Sequence, residues 1–98
     1  MTKMFAVTAF DKPDYLEKRL EVRPAHLQFW EDNADAMVLA GPFLDEDGKA
    51  IGSMMVVTAA DRDAAQALVA RDPYAQAGVF ESVEVRPWNW VIKRPEGL

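Results

Sequence analysis

The sequence predicts an α+β fold of the ferredoxin-like class, in which a four-stranded antiparallel sheet carries two helices on one face. Three observations lead to this prediction: apolar runs of strand length, segments with apolar residues at helical spacing, and turn signals between them. Together they give the order β-α-β-β-α-β, the split βαβ arrangement. Because 98 residues are enough for one core, we expect a single domain over residues 1–98.

The first half of the chain predicts one strand and a helical region divided by a proline. Residues 4–10 are a continuous apolar run that ends in a polar turn, which is typical of a central strand. Residues 15–22 can form one or two helical turns that end before Pro24, because a proline disfavours helix at the preceding residue. Pro24 fits the first turn of a new helix over residues 24–35, which has an apolar stripe at helical spacing.

The second half supplies the other three strands and the second helix. Gly41-Pro42 should stop the second strand, and the polar loop after it is a hairpin signal. Pro73 should end the second helix, and Pro87 in the last strand indicates an edge or a bulge. The expected elements are strands over residues 36–40, 51–59 and 79–92, a helix over residues 61–71, and a tail over residues 93–98.

Composition excludes several classes of function. A net charge of −5 argues against nucleic acid and anionic membrane surfaces as partners, because both require a concentrated basic patch. The lack of cysteine excludes disulfides, thiolate nucleophiles and thiolate metal sites. The apolar run near the N-terminus is too short for a signal peptide or a membrane span, so a cytoplasmic location is expected.

Self-association is the expected partnership. A domain of this size buries only about 60–65% of its unfolded surface, so an interface between copies is a natural supplement. In the predicted fold one sheet face is left uncovered, and Trp88 and Trp90 on the last strand can reach a partner. A face-to-face homodimer fits these features.

The one histidine of the chain, His26, and Asp72 are the candidate catalytic pair. If Asp72 accepts a hydrogen bond from one ring nitrogen, the other can exchange a proton with a substrate, and imidazole ordinarily titrates near neutrality. In the first turn of its helix, His26 would be disfavoured as imidazolium by the helix dipole. The alternative is structural, since a lone histidine is often only hydrogen-bonded and an aspartate before proline commonly starts a turn.

Further positions are candidate substrate contacts. Ser53 shares a strand face with Met55, so its hydroxyl should point inward and bind either a substrate or the backbone. Gly41 and Pro42 can present backbone groups to a ligand or simply end a strand. Arg23 can hold a substrate carboxylate with its fork of donors, or pair with a neighbouring acid.

The aromatic residues are expected mainly in the core and the dimer interface, although one or two can line the pocket, and Tyr74 is the candidate for that place. With one histidine and no cysteine, no metal site is expected. No glycine-rich phosphate loop is present, so no cofactor is expected either.

Short motifs along most of the chain stand in a recognisable order. They are Leu16 to Leu20, Arg23 to Leu27, Leu39 to Pro42, Gly52-Ser53, Asp72 to Tyr74, Ala77 to Glu81, and Val85 to Trp88. Together they resemble the YCII-related (YciI-like) family.

The resemblance implies a ferredoxin-like fold of the dimeric α+β barrel type, in which two sheets pack face to face. It implies that His26 and Asp72 form an acid–base dyad, and that Ser53 and the Gly41-Pro42 turn belong to the pocket. Some relatives are dehydrochlorinases or muconolactone-type isomerases that act on aromatic breakdown products, whereas most members have no assigned reaction.

We therefore expect a cofactor-independent lyase or isomerase that transfers a proton on a small organic acid or phenolic metabolite. His26 would be the general acid/base, Asp72 its orienting partner, and Ser53 and Arg23 substrate contacts. The alternative is a non-catalytic small-molecule-binding or accessory module, and a third possibility is a cofactor-free oxygenase.

Overall fold

A computed structural model describes residues 3–98 and shows a four-stranded sheet with its helices on one face. The strands pair antiparallel in the order β2-β3-β1-β4, which confirms the ferredoxin-like α+β fold predicted from the sequence. The elements in chain order are β1 (Lys3–Asp11), α1 (Leu16–Asp32), a 3₁₀ turn (Ala34–Ala36), β2 (Met37–Leu44), β3 (Ala50–Ala59), α2 (Arg62–Ala70), α3 (Pro73–Gln76) and β4 (Phe80–Pro87).

The core lies between the sheet and the helices. β1 is a central strand, and its alternate residues Phe5, Val7 and Ala9 are buried on the helix side. This alternation specifies the register, because a slip of one residue would turn the apolar set to the opposite face. The core residues contributed by the other elements are Trp30, Met55, Val57, Ala65, Val69 and Val85.

The helical region before β2 differs from the prediction. α1 is continuous, and the expectation of two segments divided at Pro24 was wrong. A proline inside a helix loses one backbone hydrogen bond and crowds the preceding turn, at a cost of about 3 kcal/mol. Arg19 and Trp30 are both buried, on opposite sides of the proline in sequence, so packing holds both halves of α1 against the sheet. His26 consequently lies well inside the helix, and the expected influence of a helix N-terminus on it does not apply.

Gly41 and Pro42 also behave differently from the prediction. They do not stop β2, which continues through them to Leu44. β2 is at the edge of the sheet, where one side of the strand has no partner and a missing N–H group is tolerated. The extension places Pro42 opposite Ser53 on β3.

The last strand is shorter than the sequence suggested. β4 ends at Pro87, so the prediction of a strand reaching residue 92 was wrong, although the interruption at Pro87 was expected. Trp88 still donates its N–H to the carbonyl of Met4 (3.0 Å), after which the chain leaves the sheet. Proline has no N–H to continue the ladder, which explains why the pairing stops there.

The sheet face opposite the helices carries exposed apolar side chains. Phe10 and Met54 are exposed on this open face, and the ring of Phe10 stacks on that of Phe43 with centroids 5.1 Å apart. It is the surface that the predicted homodimer would cover. Within residues 3–98, no helix is long and apolar enough to cross a membrane; the cytoplasmic location stays a prediction.

β1 and β3 approach each other closely at Gly52. A Cβ atom at Gly52 would overlap the backbone carbonyl oxygen of Ala9, which cannot move without disturbing the sheet. We expect Gly52→Ala to lower the free energy of unfolding by about 1–3 kcal/mol. Chemical denaturation measures this, with Gly41→Ala as the matched control because a Cβ there meets nothing within 4 Å. Equal stabilities of the two variants would contradict this account of the sheet.

Candidate functional site

A cavity of about 250 Å³ lies between α1 and the β2–β3 hairpin. The structure brings every candidate contact from the sequence to its wall, namely Arg23, Gly41, Pro42, Ser53 and Tyr74, together with His26. Their roles stay predictions. The remaining lining residues are Arg19, Leu20, Leu27, Ala40, Ala50 and Met55.

His26 and Asp72 meet in the structure although 46 positions separate them. The Nδ1 atom of His26 lies 2.8 Å and 2.9 Å from the two carboxylate oxygens of Asp72. Both oxygens of this carboxylate also accept from other N–H groups, so Nδ1 is the donor in the contact and carries the hydrogen. The Nε2 atom has no partner among residues 3–98, and the side chain, 13% exposed, lines the cavity. This geometry leaves Nε2 available for proton transfer.

Asp72 is completely buried and is held by two further donors. It is the N-cap of α3, where its Oδ1 accepts the backbone N–H of Tyr74 (2.9 Å), and its Oδ2 accepts the indole N–H of Trp30 (2.8 Å). The turn role and the pairing with His26 are therefore both present. Sequence analysis expected Trp30 only as a core residue; its position four residues after His26, on the same helix face, was the available signal.

Tyr74 packs directly against the imidazole. Its ring is stacked on that of His26, with centroids 3.9 Å apart and planes 18° apart, and the guanidinium of Arg19 lies 4.5 Å from the Tyr74 ring centre. Burial raises the pKa of Tyr74 above its usual value, which keeps the phenol protonated. The hydroxyl makes no hydrogen bond to the described part of the chain, so it is a free donor.

Arg19 and Asp11 form a second buried pair that sequence analysis missed. Arg19 donates from Nη1 to both carboxylate oxygens of Asp11 (2.8 and 3.0 Å) and from Nη2 to Ser53 Oγ (2.7 Å). Burial raises the pKa of Asp11, and Arg19 opposes that rise. Ser53 thus finds its partner in a side chain, and its own hydrogen remains available. The signal was the spacing of Arg19, four residues before Arg23 on the same helix face.

Arg23 lies at the mouth of the cavity and is exposed. Arg23 makes no ion pair with any residue between 3 and 98. Pairing with a neighbouring acid, one of the two expectations for Arg23, is therefore not seen. Across this same range, no three His, Asp or Glu side chains come together as a metal site would require. A site without metal or cofactor stays a prediction.

A larger groove of about 710 Å³ lies at the other end of the sheet, between Met4 and Trp88. Its charged lining residues are Lys3 and Arg94, and it contains neither a histidine nor a buried carboxylate. The smaller cavity is the one lined by an imidazole, the side chain most often used for proton transfer.

Comparison with known proteins gives consistent matches over most of the chain. The family model of the YCII-related domain matches residues 4–89. "Protein YciI" of Escherichia coli O6:H1 is 40% identical over 98 residues, covering 91% of this chain and 99% of that protein. An uncharacterized protein of Haemophilus influenzae is 33% identical over 96 residues, covering 90% and 98%.

A solved structure is also similar at the level of both fold and sequence. It is that of 5-chloro-2-hydroxyhydroquinone dehydrochlorinase from Burkholderia phenoliruptrix AC1100 in complex with 2,5-dihydroxybenzoquinone. The TM-score is 0.80 and the identity 27%, with 88% of this chain and 93% of that chain covered.

The contact between His26 and Asp72 predicts a specific tautomer. In the neutral imidazole, Nδ1 should carry the hydrogen and Nε2 the lone pair, because Asp72 accepts from Nδ1. Asp72→Asn offers an amide that can donate as well as accept, so the Nδ1–H population should fall. The ¹⁵N NMR shifts of the imidazole report this, and a single histidine needs no assignment.

Asp61→Asn is the matched control. Asp61 also caps a helix, accepting the N–H of Ala64 (2.8 Å), and makes no contact with His26. An unchanged tautomer in Asp72→Asn, or the same change in both variants, would contradict the contact.

Proposed function

Because this chain belongs to the YCII-related family, we propose that it is a cofactor-independent lyase or isomerase acting on a small organic acid or phenolic metabolite. The observation that carries the proposal is the unpartnered Nε2 of His26 at the cavity, with Nδ1 on the buried Asp72. In this proposal Nε2 takes a proton from the substrate or returns one, and Asp72 holds the ring in orientation. A positioned acid or base of this kind typically contributes about 10²–10⁴-fold in rate.

The remaining polar groups of the cavity suit the charge that such a step creates. Removal of a proton from a hydroxyl, or from a carbon conjugated with a carbonyl group, leaves negative charge on a substrate oxygen, which donors in fixed positions stabilise. The hydroxyl of Tyr74 stays protonated because burial raises its pKa, and Ser53 still has its hydrogen to give. Gly41 and Pro42 complete the wall opposite α1.

The similar solved structure supports a small-molecule role for this cavity, either lyase-like or binding. A dehydrochlorinase removes a proton and a chloride from its substrate, and a histidine base is suited to the first of these. The ligand in that structure is one substituted ring, and the cavity here, at about 250 Å³, lies just below the roughly 300–1,000 Å³ typical of drug-sized ligands.

A binding or accessory module without catalysis is the second candidate. The observation in its favour is that Asp72 already has a structural role, since it caps α3 and accepts the Trp30 indole. In that case the contact with His26 would be one more hydrogen bond of the core. Replacement of His26 separates the two candidates better than replacement of Asp72, which would also remove the cap.

The catalytic proposal predicts a rate loss without a loss of fold. We expect His26→Ala to reduce turnover by about 10²–10⁴-fold, whereas Gln28→Ala, on an exposed site of the same helix, should leave it unchanged. The assay follows chloride release from chlorinated hydroquinones and solvent deuterium uptake by unsaturated hydroxy acids, with circular dichroism as the folding check. Unchanged turnover in His26→Ala would rule out the acid–base role. Binding without turnover in the unaltered protein would favour the module.

We also propose that the protein works as a homodimer joined through the open face. Phe10 is 45% exposed there, and Val83, 42% exposed, faces the opposite side of the sheet. We expect Phe10→Glu to convert dimers to folded monomers because it places a charge in the apolar interface, while Val83→Glu should not. Light scattering after size-exclusion chromatography gives the masses. A monomeric unaltered protein, or dissociation in both variants alike, would contradict this interface.

A further inference from the structure

The basic side chains of the cavity differ in whether the protein supplies them with a carboxylate partner. Arg19 binds the carboxylate of Asp11 and His26 binds that of Asp72, and both carboxylates are buried. Arg23 has no such partner among residues 3–98. Arg23 is therefore the one guanidinium of the cavity without a carboxylate partner in the described part of the chain, and it lies at the cavity mouth.

The sequence around Arg23 explains why no acid reaches it. Residues three and four positions away are its neighbours on a helix surface. At those positions the chain has Arg19, Leu20, His26 and Leu27, none of which is acidic. No Asp or Glu lines the cavity either.

We infer that Arg23 selects the charge of the ligand and that the cavity accepts a ring-sized monoanion. The inference rests on the proposed function and names its substrate class: a carboxylate or phenolate group lies on the guanidinium of Arg23, and the reacting hydrogen lies at Nε2 of His26. A guanidinium binds a carboxylate through two parallel hydrogen bonds, which fixes orientation as well as charge.

The spacing of the two residues suits a single ring. Arg23 and His26 are three positions apart on α1, so their Cβ atoms are about 5–6 Å apart on one helix face. A six-membered ring can place an anionic substituent at one of these side chains and a reacting atom at the other. The apolar lining, including Leu20 and Met55, provides contact for the ring itself.

One negative charge fits better than none or two. A neutral ligand would leave Arg23 bound only to water. A dianion would bring a second negative charge to a cavity whose other guanidinium, that of Arg19, is already bound to the carboxylate of Asp11, and a charge removed from water without a partner is costly.

Benzoate and benzamide test the inference, because they share a shape and differ in charge. The probe is the imidazole C–H signals of His26 in NMR titrations, which need no turnover. We expect benzoate to bind at least about tenfold more tightly than benzamide, as one charge-assisted contact allows. Arg23→Gln should remove this preference by weakening benzoate alone, and Arg23→Lys should retain part of it.

Arg62→Gln is the control, since Arg62 is an exposed arginine on α2, away from the cavity, and should leave the preference intact. The inference would be overturned by equal binding of benzoate and benzamide, or by a preference for benzoate that survives Arg23→Gln. It would also be overturned if benzoate at tens of millimolar did not shift the His26 signals. Its failure is distinguishable from that of the proposed function. A charge preference without any turnover contradicts catalysis alone, whereas turnover without a charge preference contradicts the role of Arg23 alone.

Discussion

The structure depends on one buried carboxylate. Asp72 accepts hydrogen bonds from the backbone of α3, from the indole of Trp30 and from the imidazole of His26. It thus ties α1 to α3 across a long stretch of sequence. Replacement of Asp72 would leave these buried donors without their acceptor, which costs stability. The arrangement that orients His26 is therefore also part of what holds the fold together.

A second pair of a basic side chain and a carboxylate lies beside the first, with an aromatic ring against both basic side chains. Tyr74 stacks on His26 and contacts the guanidinium of Arg19, which is itself bound to Asp11 and Ser53. Each group has its geometry fixed by at least one neighbour. Little reorganisation is needed to bind a ligand in such a site, and this is the condition under which fixed dipoles stabilise developing charge most effectively.

The basic side chains of the cavity differ in burial, and their proposed roles differ accordingly. Arg19 and His26 each bind a buried carboxylate within the protein, whereas Arg23 at the mouth is exposed and has no ion-pair partner among residues 3–98. In the two proposals, the inner groups hold orientation and exchange a proton, while Arg23 binds the anionic group of the ligand. The proposed catalytic role and the proposed charge selection therefore use different side chains and are separable by experiment.

Two prolines show where local rules were insufficient. Pro24 was expected to begin a helix and lies inside one, and Pro42 was expected to follow a strand and lies within one. In both cases the local preference is worth only a few kcal/mol. At Pro24, the burial of Arg19 and Trp30 on either side outweighs the local preference. At Pro42, the edge position of β2 accommodates the proline.

The sequence by itself determined the element order, the fold class and the candidate pair His26 and Asp72. Apolar periodicity is a local property, and the chain offers one histidine. Only the tertiary structure decided that Asp11, Arg19 and Trp30 belong to the site. Their hydrogen bonds join residues distant in the chain, and such contacts depend on how the helices pack on the sheet. The sequence alone does not show whether an arginine or a tryptophan faces water or a buried carboxylate.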